Sequence, residues 1–211
     1  MKKIFLFIII LSFALHAVGQ VRTTKFSVYP DFKPAIIQLK DGRFIQQRLA
    51  NIFLKNSSLL YMHGSQVMEA NMDNIVSVKF DDRLYQKVDT LLAYVVDSVG
   101  NDVLYQATVI DLPAYTALLR NNQVITNLSL GDMISTTTMD ISTSEDFKFP
   151  LIDLFYFRFK GKLVKAHERN LSMLLNKDQK RIMRTFVTMN DFSWTKADSL
   201  LKLLKSLQSS K

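Results

Sequence analysis

Lys177, Lys180, Arg181 and Arg184 stand at i, i+3, i+4 and i+7 in the stretch KDQKRIMRTFV. On a helix this spacing lines four cations along one side, opposite Ile182, Met183 and Phe186. Such a face attracts phosphates, acidic polysaccharides or an acidic protein surface, and Lys162, Lys165, Arg169, Lys202 and Lys205 could extend it. An ordinary solvated helix surface uses the same residues for solubility alone, so the spacing marks a candidate anionic-partner site.

Other chemistry finds less support. The chain has no cysteine, which removes thiolate metal sites, a Cys nucleophile and disulfides. Beyond the N-terminal twenty residues the histidines are His63 and His167, too few and too far apart for the paired helical ligands of a zinc hydrolase. Gly42, Gly64, Gly100, Gly131 and Gly161 are each isolated, so no phosphate-cradling glycine loop and no nucleotide cofactor is expected. The G-x-S-x-G elbow of a serine hydrolase does not occur. The acids Glu69, Asp73, Asp81, Asp82, Asp97, Asp102 and Asp111 fall near expected strand ends. Two of them converging would permit general acid and base work on a glycoside. Acids at such places are more often solvated turn residues.

The residues that carry this chemistry need positioning elements. Lys2 and Lys3 precede an apolar run from Ile4 to Leu15, and the small residues Ala17 and Gly19 precede Gln20. This predicts a signal peptide over residues 1–19, cut after Gly19, because the run is shorter than the roughly 20 residues a membrane span requires. No later stretch is long and apolar enough to span, so no transmembrane segment is expected after cleavage. Residues 20–147 carry 11 Lys+Arg against 14 Asp+Glu, whereas residues 148–211 carry 14 against 5. That imbalance predicts a β-rich domain over 20–147 and a basic strand-plus-helices region over 148–211.

From Lys25 to Asp111 short runs of Val, Ile, Leu, Phe and Tyr alternate with turn residues, Gly42, Gly64 and Gly100 among them. The expected fold class is α+β: an antiparallel sheet or small β-barrel, with five strands over residues 25–90, followed by a three-helix region. Residues 131–146, rich in Ser, Thr and Asp, are expected to form a loop. In LIDLFYFRFKGK, Phe155, Phe157 and Phe159 alternate with Tyr156, Arg158 and Lys160, a strand that Gly161 should end. From Leu163 onward apolar residues recur at three and four, predicting three short helices, with Thr195 and Asp198 capping the last.

The aromatic strand ending at Gly161 and Lys162, the helix closing at Leu174 and Leu175, KDQKRIMRTFV, and the final ADSLLKLLKSL together resemble a group of exported Bacteroidota proteins of unknown function. The match is best over about residues 150–207 and implies compartment and architecture; it supplies no catalytic residue. DTL at 89–91, DSV at 97–99 and DSL at 198–200 also resemble O-glycosylation sites of exported Bacteroidota proteins, which would make Thr90, Ser98 and Ser199 acceptors.

The expectation is an exported, non-enzymatic binding or assembly protein of the cell envelope, in the periplasm or at the cell surface. Its partner would be an envelope protein or an anionic glycan or lipid surface. A barrel-like hairpin, a basic tail and the run Phe155, Tyr156, Phe157 would suggest RNA in the cytoplasm, but export removes that target and no nucleic acid is expected. The alternative is an envelope glycan hydrolase that uses carboxylates of the β-rich part.

Overall fold

A computed structural model describes residues 22–23, 26–121, 149–189 and 191–209. The expected signal peptide and the loop over 131–146 lie outside the described residues. Strands β1 (Arg22–Thr23), β2 (Lys33–Leu39), β3 (Phe44–Ile52), β4 (Leu59–His63), β5 (Gln66–Glu69), β6 (Ile75–Lys79), β7 (Leu84–Val88), β8 (Leu91–Val99) and β9 (Asp102–Ile110) precede helix α1 (Leu112–Asn121). Strands β10 (Phe149–Phe159) and β11 (Lys162–Lys165) and helices α2 (Glu168–Ser172), α3 (Lys177–Val187) and α4 (Ala197–Gln208) complete the described chain.

All eleven strands join one antiparallel sheet, in the order β1-β10-β9-β8-β7-β6-β2-β3-β4-β5, with β11 alongside the other half of β10. The sheet is open, so the barrel alternative is not realised. It nonetheless curls strongly. In the β3–β4 connection the Ser57 carbonyl accepts from the Leu92 N–H at 2.8 Å and the Leu54 carbonyl from the Ile110 N–H at 2.7 Å, although β3 and β4 pair with neither β8 nor β9. The concave side of that curl holds Ile37, Ile52, Leu59, Val78, Phe80, Tyr85 and Leu92 in one buried cluster.

Tight turns set the register. His63 faces Gln66, Val99 faces Asp102 and Phe159 faces Lys162, so each of these hairpins has a two-residue loop. In the last, Lys160 and Gly161 both have positive φ, 50° and 77°, as a type I′ turn demands. The same left-handed backbone appears at Gly42, Gly64 and Gly100, where the sequence placed its turns.

The C-terminal part is not a three-helix unit. Residues 149–165 are strands of the common sheet, α2 is only five residues long, and a further helix, α1, precedes β10. Leu163 and Val164, which fit the helical spacing of the residues beyond them, instead pair with Arg158 and Phe157. The boundary expected between 147 and 148 does not separate two sheets, because β10 inserts between β1 and β9. On one face of β10 Phe155, Phe157 and Phe159 are buried beneath Met183 of α3 and Leu200, Leu203, Leu204 and Leu207 of α4. Burying each such leucine contributes about 1.5–3 kcal/mol, which makes this helical layer the second main core.

Among the described residues no helix is long and apolar enough to cross a membrane.

Candidate functional site

The basic helix α3 starts with a reciprocal cap. The Asn176 side chain accepts from the Gln179 N–H at 2.8 Å, and the Gln179 side chain accepts from the Asn176 N–H at 3.3 Å. Gln179 is itself buried. Its amide donates to the Leu207 carbonyl on α4 at 3.0 Å and its oxygen accepts from Lys160 Nζ at 2.8 Å. A sequence reading that looks for cations passes over Gln179, yet it fixes the rotation of α3. With Gln179 and Met183 turned inward, Lys177, Lys180, Arg181 and Arg184 are all exposed. Arg181 pairs loosely with Asp178, at 3.7 Å between strongly exposed groups, and among the described residues this is the only ion pair of the four. Exposed pairs of this kind are worth ~0–1 kcal/mol, so the face keeps nearly all of its positive potential.

Lys162, Lys165, Arg169, Lys202 and Lys205 are exposed as well. The cap expected from Thr195 and Asp198 is not formed. Ser193 Oγ accepts from the Thr195 N–H at 3.2 Å, and the N-cap position of α4 falls to Lys196, which makes no side-chain cap.

Among the described residues the carboxylates of the β-rich part do not converge. Glu69, Asp73, Asp81, Asp82, Asp89 and Asp97 are exposed. Asp102 is buried but occupied: it accepts from the Lys160 N–H at 2.7 Å and from the Gln208 side chain. Asp111 lies past the far end of the same nine-residue strand and caps α1 through the Ala114 N–H at 3.0 Å. Asp82 is held below the usual carboxylate range, chiefly by the hydrogen bond from Lys33, with burial opposing. A glycosidase acid needs the opposite shift.

His63 is exposed at the end of β4, and His167 caps α2, its Nδ1 accepting from the Arg169 N–H at 3.2 Å while its ring stacks on Trp194. Among the described residues no group of His, Asp and Glu is arranged to hold a metal ion. Of the residues that resemble glycosylation acceptors, Thr90 and Ser98 are exposed and Ser199 is half-buried on α4.

The fold also assembles a cluster that sequence spacing does not reveal, drawn from three separate segments. Lys33 Nζ sits 4.0 Å from the Tyr29 ring centroid and 2.8 Å from Asp82 Oδ1. The Tyr29 hydroxyl donates to the same oxygen at 3.2 Å, and Arg83 lies over the Tyr94 ring at 5.1 Å. Burial raises the Tyr29 hydroxyl well above its ordinary value, with Tyr85 and Asp82 adding to the shift. The group ties the segment before β2 to the β6–β7 turn. Lys33 and Tyr29 share Asp82 Oδ1 and Arg83 Nε stands 3.7 Å from Oδ2, so the group reads as a structural clasp.

Beside it, Arg48, Lys79, Asp81, Gln46 and Ile36 line a shallow cleft of about 480 Å³ next to the bulge between β2 and β3. Compared with protein-family models, with curated proteins and with solved structures, the chain returns no match.

Proposed function

We propose that this chain is an exported, non-enzymatic protein of the cell envelope, acting in the periplasm or at the cell surface, in which the curled sheet is a scaffold that presents α3 to an anionic partner. One observation carries the reading. Lys177, Lys180, Arg181 and Arg184 are all exposed along a helix whose other side is locked by Gln179 and Met183, and among the described residues only Arg181 forms an ion pair. A rigid row of unneutralised cations attracts an acidic protein face or an anionic glycan or lipid surface by long-range steering.

Among the described residues the carboxylates are scattered and mostly exposed, which favours binding over glycan hydrolysis. The test is retention of the tagged protein on its native envelope fraction, washed at low and high salt. Charge reversal at Lys180, Arg181 and Arg184 should abolish retention at low salt, and the wild type should elute as salt approaches 1 M, where screening acts within ~3 Å. Equal retention of the reversed variant would overturn the proposal.

A further inference from the structure

The face of the sheet opposite the buried phenylalanines carries a second cleft, of about 520 Å³, lined by Lys40, Ile75, Gln86, Lys87, Asp89 and Arg158. We propose that it binds the phosphate of a small phosphate monoester, independently of the α3 surface.

Arg158 is the centre of the argument. It lies on β10, and Gln86 lies on β7, with two strands between them. The face is so curved that Arg158 Nη1 still comes within 3.4 Å of Gln86 Oε1, which also accepts from the Tyr105 hydroxyl at 2.8 Å. The guanidinium packs over the buried Tyr105 ring at 5.2 Å. Ring and amide thus fix the plane of a half-buried guanidinium and leave donors unspent. Among the described residues it has no carboxylate partner.

Lys87 is half-buried too, its ammonium held by the Met72 carbonyl at 2.6 Å. Lys40 is exposed at the end of β2 and its ammonium has no partner among the described residues. Half-buried cations without anions carry a desolvation cost that a bound anion relieves.

Charge selects the ligand. Three cations against Asp89 leave the cleft with two positive charges, which a phosphate dianion neutralises and a carboxylate only halves. A fixed guanidinium fork also matches phosphate oxygens in pairs. A cleft of this size admits a sugar-sized ester.

The test is calorimetric titration at pH 8 and fixed ionic strength with inorganic phosphate, glucose 6-phosphate and acetate. Phosphate and the ester should bind at least about tenfold more tightly than acetate, the gain expected from one further charge-assisted hydrogen bond. Arg158→Gln should weaken phosphate binding about tenfold or more, and Lys40→Gln, an exposed change that leaves the fold intact, by about threefold. Asp89→Asn keeps a residue at ease with its φ of 57° and should tighten binding.

The α3 charge-reversal variant should bind phosphate like the wild type, so this site and the envelope reading fail separately. A second arm uses vesicles containing phosphatidic acid: Arg158-dependent binding to the soluble ester or to the vesicles supports the site and names the source of the phosphate. Equal affinity for acetate and phosphate, or wild-type affinity in Lys40→Gln, would overturn it even if Arg158→Gln fails to fold.

Discussion

At the scale of single residues, buried polar side chains do the positioning. Asn51, fully buried on β3, accepts from the Tyr29 N–H at 3.0 Å and donates to the Tyr29 carbonyl at 2.9 Å, so one amide replaces a missing strand neighbour for the chain before β2. Asn51→Leu strands both backbone groups and is expected to cost about 2–4 kcal/mol, read as a lower midpoint in urea unfolding. Nothing in RLANIF singles that residue out, because a polar residue in an alternating strand reads as solvent-facing. Asp82 behaves differently, being visible in the sequence but with its partners hidden. Its folded carboxyl titrates below its unfolded value. Its contribution is therefore full above about pH 4 and is lost as pH falls through the folded value. With Asp82 48% and Lys33 28% exposed, that contribution is small. Urea midpoints measured between pH 5 and pH 2 should fall less steeply for Asp82→Asn than for the wild type, and parallel slopes would remove the clasp from the acid response.

At the scale of elements, local chemistry and tertiary pairing part company. The glycine turns were legible because positive φ is a backbone requirement that few other residues meet. Gly161, at φ 77°, has open space where a Cβ would stand, so Gly161→Ala should cost about 1–2 kcal/mol through backbone strain alone, without a clash. Differential scanning calorimetry would show it as a lowered Tm, with no change if the turn relaxes. The start of α3 makes the comparable test for helices: Asn176→Ala breaks the reciprocal cap and should cost about 1 kcal/mol. By contrast, the strand Lys162–Lys165 was not legible. Its apolar pair fits a helical period equally well, and only the two-residue turn behind it forces the chain back along β10. The same holds for the candidate sites. The α3 cations follow from spacing on one element, whereas the cleft around Arg158 needs the curvature of four strands, which no local pattern encodes.

For the whole molecule the charge split between residues 20–147 and 148–211 is real in the sequence yet does not coincide with a structural seam. Strand β9 pairs with β10 along eight residues, and the layer that covers Phe155, Phe157 and Phe159 also buries Leu104 of β9. Asp102 adds a polar lock, joining the β8–β9 turn to Lys160 and to Gln208 at the end of α4. Removing the helices would therefore expose part of the sheet itself. The single tryptophan, Trp194, lies in the helical layer, packed edge-on against Phe192 at 5.1 Å, so its fluorescence reports that layer while the β-sheet component of the infrared amide I band reports the strands. If the two regions unfold as one, both signals should share one midpoint in urea. Leu204→Ala, which opens a cavity between α4 and β10, should lower both midpoints together by the equivalent of about 2–5 kcal/mol. A fluorescence transition that precedes the loss of strand signal, or a Leu204→Ala shift confined to fluorescence, would mean that the basic region unfolds by itself, and the sheet's continuity through β10 would then not couple it to the rest.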